Sequence, residues 1–292
     1  MDISDIYDEY KPLLFSIAYR MLGSVADAED MVQDTFMNAQ QLYPNQVHHT
    51  KAYLCKMITN RCIDYTKSAR KRRELYVGEW LPEPLLIDSD DPLHAIERDE
   101  TFSYAFMVYM EKLTPVERAV FILREAFEYD YTEIGEIVGK SEANCRQVFS
   151  RLRRKLREEE APAVHANEHA YGLAQQFLRA SSTGNLDELI RSLSEDVVLY
   201  SDGGGKVLAA LRPILGRERV IKFLHGIQSK RSDDVQYQLV NMNGQRGMII
   251  SEHGRTIAAV NIELDAEGRV QRIFFMRNPD KLQLPNREKG VE

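Results

Sequence analysis

The spacing of apolar residues changes once along the chain, and this change constrains the fold more than any other feature of the sequence. From Ile3 to about Glu160, apolar side chains recur every three or four residues, which is the period of an amphipathic helix. Beyond a joint at residues 161–166, two helical stretches are interspersed with segments in which apolar and polar residues alternate, as in strands. The sequence therefore predicts a multidomain protein with all-α domains first and an α+β domain after them.

A stretch rich in proline and acidic residues divides the helical part. It contains WLPEP, from Trp80 to Pro84, followed by DSDDP, and proline cannot continue a helix because it lacks an amide hydrogen. We therefore predict five segments: a helical domain over 1–73, a linker over 74–100, a second helical domain over 101–160, an α+β domain over 167–283 and a flexible tail over 284–292.

Local signals mark the helix ends in the second helical domain. Thr114 and Glu117 have the spacing of a capping box, in which each side chain bonds the backbone of the other residue. Asp130 precedes a short helix, Gly139 suits the left-handed residue that ends it, and Ser141 can cap the next helix. Two helices joined by about three residues are typical of a helix-turn-helix.

Five segments of the last domain are predicted to be strands. They read VVLYS, VQYQLVNM, RGMIIS, TIAAVNIEL and RVQRIFFM. Turn signals at Asn243, His253 and Glu267, each followed by glycine, separate the last four. These turns imply an antiparallel meander, so the sequence predicts a curved antiparallel sheet within the α+β domain.

Charge and cysteine content exclude several classes of function. The net charge of -7 argues against a protein that coats nucleic acid indiscriminately, yet two basic clusters at residues 67–73 and 151–157 indicate an anionic partner. Cys55, Cys62 and Cys145 lack metal-ligand spacing, so we predict buried thiols, with no metal and no cofactor. The acidic N-terminus and the absence of a long apolar run predict a cytoplasmic protein.

The second helix of the helix-turn-helix carries a polar and basic face. Apolar residues at helical spacing can face inward, and the side chains left to point outward are Arg146, Gln147, Ser150, Arg151, Arg153 and Arg154. Arginine and glutamine can bond base edges in a major groove, and further arginines can neutralise phosphates. The alternative is an ordinary amphipathic helix with a solvated basic face, and a helix-turn-helix alone does not separate a repressor from an initiation factor.

The third helix of the first domain combines aromatic, amide and charged side chains. The predicted DNA contacts are Tyr53, Asn60, Arg61 and Asp64, with Tyr65 beside them. Aromatic rings and amide side chains can hold unstacked bases, and the basic cluster at 67–73 could follow the phosphates. The alternative is that these basic residues only complement the dipole at the helix end.

Three motifs in the first 157 residues resemble regions two and four of the extracytoplasmic-function sigma factors of RNA polymerase. They are YRMLGSVADAEDMVQDTFMNA, NRCID from Asn60 to Asp64, and LTPVERAVFILREAFEYDYTEIGEIVG. The resemblance implies that the partners are core RNA polymerase and promoter DNA. It implies that the segment from Asp27 to Ala39 docks on the polymerase clamp helices, through Asp27, Asp30, Gln33, Asp34 and Phe36.

The same resemblance divides the promoter between the two helical domains. The loop at 43–50 and the helix from Tyr53 are expected to melt and read the element nearest the start site, and the helix-turn-helix reads the element further upstream. The loop, PNQVHHT, departs from the family pattern because it is short and lacks the usual glycine and acidic residues.

A second resemblance covers the remainder of the chain. WLPEP, DGGGK from Asp202 to Lys206, and NPDKL from Asn278 to Leu282 resemble the signature of the sigma subgroup with a fused SnoaL-like domain. The resemblance implies that this domain regulates the sigma factor in place of a separate anti-sigma protein. The implied regulatory residues are Trp80, Leu81, Pro82, Asp202, Gly203, Gly204, Gly205, Lys206, Asn278, Pro279 and Asp280. Taken alone, DGGGK is also typical of a glycine turn between strands.

Two rival functions stay open from the sequence. SnoaL-like cones include isomerases and cyclases, and Tyr200, Asp202 and His253 are the polar residues that could serve catalysis there. No nucleophile and base are visible together, so we predict a protein that is not an enzyme and favour sensing of an unknown small-molecule ligand over catalysis. A conventional repressor or activator is the other rival function, but it would give the first helical domain no role.

Overall fold

The computed structural model describes residues 3–42, 49–73, 75–86, 102–158, 171–230 and 232–282. One compact unit consists of residues 1–75 and 88–165, and the other of residues 76–87 and 166–292. Residues 43–48 of the loop predicted to contact DNA, the side chains of the basic cluster after Ser68 and the predicted tail lie outside the described residues. Among the described residues, no helix combines the length and the apolar character that a bilayer crossing requires.

The first three helices form as the sequence predicts. They are α1 (Ile3–Leu22), α2 (Val25–Leu42) and α3 (Thr50–Arg73). Ser24 begins α2 by accepting a hydrogen bond on its Oγ from the amide of Asp27, at 3.2 Å. The apolar stripes of these helices form a common core that includes Leu14, Ile17, Ala18, Met21, Ala28, Val32, Leu54 and Ile58.

The next helices are α4 (Tyr104–Met110), α5 (Pro115–Glu125), α6 (Tyr131–Val138) and α7 (Glu142–Glu158). Thr114 and Asp130 both form the reciprocal bonds of a capping box, which confirms the predicted starts of α5 and α6. Gly139 ends α6 with φ of 67°, a left-handed conformation that favours glycine, and the Ser141 hydroxyl accepts the amide of Asn144 at 3.2 Å. The predicted helix-turn-helix is therefore confirmed.

The helices of the two predicted helical domains pack within one unit. Helix α3 lies against α5 and α6, and α1 lies against α5. The side chain of Arg118 on α5 is only 2% exposed, and its guanidinium donates to the carbonyl oxygens of Met21 and Met110, both at 2.7 Å. It also pairs with Glu111 at 2.7 Å. Because a buried guanidinium is tolerated only with acceptors, these bonds fix the end of α1 to α5.

The three cysteines are buried free thiols, as predicted. Burial raises the pKa of Cys62 far above its usual range, so this group stays a neutral thiol. Cysteine in such a setting acts as a small apolar core residue.

The second unit contains a six-stranded sheet in its described residues, in the order β2-β1-β6-β5-β4-β3. The chain order is α8 (Tyr171–Thr183), α9 (Leu186–Ser192), β1 (Leu193–Asp202), β2 (Ile214–Leu215), α10 (Arg217–Gln228), β3 (Val235–Met242), β4 (Gln245–Glu252), β5 (Arg255–Leu264), β6 (Val270–Met276) and a 3-10 helix (Pro279–Lys281). Strands β3 to β6 form the predicted antiparallel meander. The sheet is mixed, however, because β1 pairs with β6 in parallel.

The two faces of this sheet are covered differently. Helices α8, α9 and α10 pack on one face, where Leu199, Ile273 and Phe275 join the apolar core. Because side chains alternate along a strand, Phe274 and Asp202 point to the other face. Both are buried, at 2% and 0% exposure.

Candidate functional site

Helix α7 presents the six side chains that are predicted to contact DNA. Cys145, Phe149 and Leu152 are buried, and they fix the rotation of the helix about its axis. The opposite side is exposed and carries Arg146, Gln147, Ser150, Arg151, Arg153 and Arg154. In a helix-turn-helix, the exposed face of the second helix is the one that enters a major groove.

Two arginines of this face are held by glutamates of α5. Arg151 pairs with Glu117 at 3.0 Å, and one nitrogen of Arg153 contacts both carboxylate oxygens of Glu125, at 3.0 and 2.9 Å. Exposed pairs of this kind contribute little to stability. They orient the two guanidinium groups, and phosphate groups can compete with the carboxylates for them.

The predicted nucleic-acid face of α3 is partly occupied by a contact inside the protein. The amide nitrogen of Asn60 donates to the carbonyl oxygen of Lys56 on its own helix, at 2.9 Å. It also donates to the carbonyl oxygen of Ile137, in the last turn of α6, at 2.8 Å. Asn60 therefore joins the two helical domains in this conformation.

The other predicted DNA contacts of α3 are more accessible. Arg61 reaches across to Asp34 on α2 at 3.4 Å, and Asp64 pairs with Lys67 one turn further along at 2.8 Å. Tyr53 is half-buried. Since both ion pairs lie at the surface, water and salt screen them.

Helix α2 exposes three of the five residues predicted to contact polymerase. These are Asp30, Gln33 and Asp34. Asp27 is half-buried, and its Oδ1 accepts a hydrogen bond from the hydroxyl of Tyr65 at 2.6 Å. The face formed by these residues is polar and acidic.

Phe36, the fifth residue predicted to contact polymerase, is buried in this structure. Its side chain is 4% exposed, and its ring centroid lies 4.7 Å from that of Tyr7 on α1. Phe36 falls on the apolar stripe of α2, so burial in the helical core prevails over display at the surface. Its neighbour Met37 is 56% exposed and is a large apolar side chain that α2 presents to solvent.

The predicted regulatory motifs converge on one buried carboxylate. Asp202 Oδ1 accepts from the hydroxyl of Tyr76 at 2.6 Å and from the amide of Gly204 at 2.9 Å. Its Oδ2 accepts from the amide of Leu81 at 2.9 Å and from Lys281 Nζ at 2.8 Å. Burial, followed by the bond to Asp202, raises the pKa of Tyr76 well above its usual range, so its hydroxyl stays a donor.

Residues 76–86, which we call the docked segment, are held further by Lys281. Its ammonium lies 4.0 Å from the centre of the Trp80 ring, a cation–π geometry, and donates to the carbonyl oxygen of Leu81 at 2.6 Å. Pro82 is buried beside Leu81, and the amide of Asn278 donates to the hydroxyl of Tyr76 at 2.8 Å. WLPEP, DGGGK and NPDKL therefore form one site. Tyr76 is an addition that the sequence did not single out, and Lys281 belongs to NPDKL but was not among the predicted regulatory residues.

The glycines of DGGGK allow the backbone to approach Asn278. Gly204 has φ of 61°, and a Cβ there would lie 2.5 Å from the Asn278 side chain. Gly203 and Gly205 flank it, and Gly205 lies next to Val77 of the docked segment. A larger residue at Gly204 would be strained and would push Asn278 away from Tyr76.

The remaining predicted residues lie at the rim of this site. Lys206 and Asp280 form an exposed pair at 2.6 Å. Pro279 begins the 3-10 helix that places Asp280 and Lys281.

A second attachment point of the docked segment was not predicted. The amide of Asn243 donates to the carbonyl oxygen of Leu85 at 2.9 Å, and the amide of Leu85 donates to Asn243 Oδ1 at 3.1 Å. Leu86 forms a β-bridge with Met242. The sequence marks Asn243 only as a turn residue, because the asparagine-glycine signal is the same with or without a bound segment.

The three residues considered for catalysis lie in three different settings. The Tyr200 ring stacks on Phe274, with centroids 5.5 Å apart, and Asp202 belongs to the buried site described above. His253 lies in the exposed turn after β4, paired with Asp234 at 3.0 Å. Within the described residues, no hydrogen bond joins any two of the three.

The comparisons with known proteins agree with both helical halves. Sigma-70 region 2 matches residues 6–72, and Sigma-70, region 4 matches residues 104–156. These two regions, the second of which contains the helix-turn-helix, define an RNA polymerase sigma factor.

The relatives identify the branch of sigma factors. The ECF RNA polymerase sigma factor SigJ of Mycobacterium tuberculosis (strain ATCC 25618 / H37Rv) is 31% identical over 296 residues, covering 96% of this chain and 93% of SigJ. The probable ECF sigma factor SigI of the same strain is 30% identical over 221 residues, covering 75% and 74%. The crystal structure of M. tuberculosis SigJ aligns with a TM-score of 0.78 at 28% identity, over 98% of this chain and 100% of that one. The chain therefore belongs to the ECF RNA polymerase sigma factor family.

Both family resemblances drawn from the motifs are thereby confirmed. The helical unit is the sigma part, with regions 2 and 4, and the C-terminal unit is the SnoaL-like α+β part. We use the names region 2 for α1 to α3 and region 4 for α4 to α7.

Proposed function

We propose that this sigma factor binds core RNA polymerase through the exposed face of α2 and opens promoters through α3 and α7. Asp30, Gln33 and Asp34 form the proposed polymerase contact, with Met37 beside them in place of Phe36. This assignment rests on their common exposure along one helix face. Since the target is RNA polymerase, the proposed place of action is the cytoplasm.

The proposed promoter contacts divide between the two helical regions. On α7 the contacts are Arg146, Gln147, Ser150, Arg151, Arg153 and Arg154, and on α3 they are Tyr53, Asn60, Arg61 and Asp64. The bond from Asn60 to Ile137 indicates that the compact unit is a closed form. While the side-chain nitrogen of Asn60 donates to Lys56 and Ile137, it has no hydrogen left to donate to an unstacked base, so the proposal requires α3 and α6 to separate for promoter opening.

We also propose that the C-terminal unit regulates this opening by holding the docked segment. The single observation that carries the proposal is the set of bonds from Asp202 to Tyr76 and Leu81. The docked segment lies in the only stretch of chain that joins α3 to α4. Docking fixes the backbone of this segment. Its release restores conformational entropy worth about 1–2 kcal/mol per residue, and the connection between the two regions becomes more flexible.

The proposal gives the C-terminal unit a regulatory role rather than a catalytic one, and it includes no cofactor. Tyr200, Asp202 and His253 lack the mutual contacts that acid–base catalysis requires. Asp202, the strongest catalytic candidate, already accepts four hydrogen bonds that hold the docked segment and its own loop. The proposal also includes the binding of a small-molecule ligand by the C-terminal unit.

The test is reconstitution of full-length protein with core polymerase and a promoter library. Gln33→Ala should weaken association with polymerase, and Arg153→Ala should leave association intact while weakening contact with the upstream element. A chain shortened after Arg277, which lacks Asn278 and Lys281, should differ from the full chain in promoter-dependent transcription. Failure of the full chain and the shortened chain to bind polymerase would refute the sigma assignment, and equal transcription by both would refute the regulatory one.

A further inference from the structure

Tyr131, the first residue of α6, lies within cation–π distance of two arginines. The guanidinium carbons of Arg124 on α5 and Arg146 on α7 lie 5.0 and 4.9 Å from the centre of its ring. The ring also meets the buried ring of Phe149, with centroids 6.1 Å apart and an interplanar angle of 63°. The Tyr131 ring is therefore held from both α5 and α7.

The two arginines are themselves held by further contacts. Arg124 donates to the carbonyl oxygen of Tyr129 at 2.8 Å. Arg146 donates from Nη2 to Oε1 of Glu142, one turn earlier on α7, at 2.6 Å. The other oxygen of that carboxylate accepts from the hydroxyl of Thr132 at 3.3 Å, so α6 also orients Glu142. The side chain of Arg146 is therefore fixed from two directions, by an aromatic ring and by a carboxylate.

Arg146 keeps most of its hydrogen-bonding capacity in this position. Its side chain is 63% exposed. A guanidinium carries five N–H donors, and the bond to Glu142 uses one of them. The contact with the Tyr131 ring is electrostatic and does not require an N–H group. Arg146 is therefore held in place while it can still donate two hydrogen bonds to one acceptor group.

Position along α7 separates Arg146 from the other arginines of the exposed face. Arg146 is the fifth residue of the helix, and the N-terminal residues of a recognition helix are those that contact base edges. Arg153 also has a ring and a carboxylate beside it, Phe149 at 5.2 Å and Glu125 at 2.9 Å. It lies seven residues further on, however, which is about 10 Å along the helix. Arg146 is therefore placed for a base, and Arg153 for the flanking phosphates.

We propose that Tyr131 is a positioning residue for base recognition: together with Glu142, it holds Arg146 so that Arg146 reads a guanine in the upstream promoter element. Arginine recognises guanine by two bonds, to O6 and N7, and both form only in one orientation of the guanidinium. Because Tyr131 and Glu142 set that orientation before DNA binds, less side-chain entropy is lost on binding. The inference rests on the proposed function, in which α7 contacts the upstream element.

The test is transcription by the full chain and core polymerase on a promoter library in which each base of the upstream element is varied. The wild type should prefer guanine at one position by about 5- to 150-fold, and Arg146→Ala should abolish that preference. Tyr131→Leu removes the ring and should lower the preference about two- to fivefold. Tyr131→Phe keeps the ring and should retain the preference of the wild type.

A double variant shows whether Tyr131 acts through Arg146. In the Arg146→Ala chain, Tyr131→Leu should change the base preference no further, because the two residues act as one unit. Arg154→Ala is the control: this side chain is 72% exposed, and its loss should lower transcription evenly across the library. If Tyr131→Leu lowers the melting temperature by more than about 5 °C, Glu142→Ala replaces it, since that change removes the other group that holds Arg146.

Three results would overturn the positioning role. They are a wild type that opens promoters without preferring guanine, an unchanged preference in Tyr131→Leu, and a further change of preference in the double variant. An even loss across the library in Tyr131→Leu, like that in Arg154→Ala, would count against it in the same way. All of these leave the sigma assignment standing, whereas a wild-type chain that opened no promoter would refute the proposed function and this inference with it.

Discussion

Replacing Asp202 by asparagine tests the attachment of the docked segment most directly. Each carboxylate oxygen serves one donor from the docked segment and one from the C-terminal unit: Oδ1 bonds Tyr76 and Gly204, and Oδ2 bonds Leu81 and Lys281. An amide has only one oxygen. Whichever way it is turned, two donors lose their acceptor, and one of them belongs to the docked segment.

The size of the effect follows from the charge and burial of this group. A hydrogen bond to a charged acceptor contributes about 1.5–3 kcal/mol, and Asp202 is fully buried, so water does not replace the lost bond in the docked state. Each 1.4 kcal/mol is a factor of about ten in an equilibrium constant. Asp202→Asn should therefore shift the docking equilibrium of residues 76–86 roughly 10- to 100-fold towards release.

Amide hydrogen exchange of residues 76–86, followed by mass spectrometry, measures this shift. Protection in that segment should fall by the same factor, and protection in strands β3 to β6 should fall less. Lys206→Gln is the control, because the Lys206 and Asp280 side chains are 54% and 57% exposed and such pairs contribute about 0.2–1 kcal/mol. If Asp202→Asn leaves exchange in the segment unchanged, or Lys206→Gln increases it as much, Asp202 is not the group that holds the segment.

Four further substitutions test the helical unit by chemical denaturation and polymerase binding. Thr114→Ala removes the capping box of α5 and should lower the free energy of unfolding by about 1 kcal/mol. Arg118→Met leaves the Met21 and Met110 carbonyls and Glu111 without their buried donor, and a loss of about 3–5 kcal/mol is expected; a loss below about 1 kcal/mol would contradict its structural role. Phe36→Ala should cost about 3–5 kcal/mol of stability, whereas Met37→Ala should leave stability nearly unchanged and weaken polymerase binding. If Phe36→Ala instead weakens polymerase binding without a loss of stability, Phe36 belongs to the polymerase-binding face.

Features that depend on neighbouring residues could be predicted from the sequence. The capping boxes at Thr114 and Asp130 and the left-handed Gly139 involve residues at most four positions apart, and all three form as expected. The strands of the meander follow for the same reason, since each is joined to the next by a short turn. The outward face of α7 also follows, because three buried apolar residues fix the rotation of the helix.

Features that depend on distant residues could not be predicted in this way. The parallel pairing of β1 with β6 joins strands that are far apart in the chain, and no turn signal records it. Asn60 has the same local surroundings in sequence whether its amide bonds a base or the carbonyl oxygen of Ile137. The bonds between Asn243 and Leu85 could not be predicted either, because the turn signal at Asn243 is the same whether or not a segment binds there.

The contacts that close regions 2 and 4 on each other differ in how readily they can be broken. The bond from Asn60 to Ile137 is only partly buried, so water can replace it, and its net contribution is about 0.5–1.5 kcal/mol. Arg118 is fully buried; its bond to Met21 crosses between the regions, while those to Met110 and Glu111 lie within region 4. Separation would leave Arg118 still paired with a carboxylate, which avoids the penalty of an isolated charge. Opening would therefore cost at least three hydrogen bonds, since the hydroxyl of Tyr129 also donates to Cys55 at 3.2 Å, and the packing of α5 and α6 against α3 and of α5 against α1. Polymerase and promoter contacts made only in the open form would have to offset that cost.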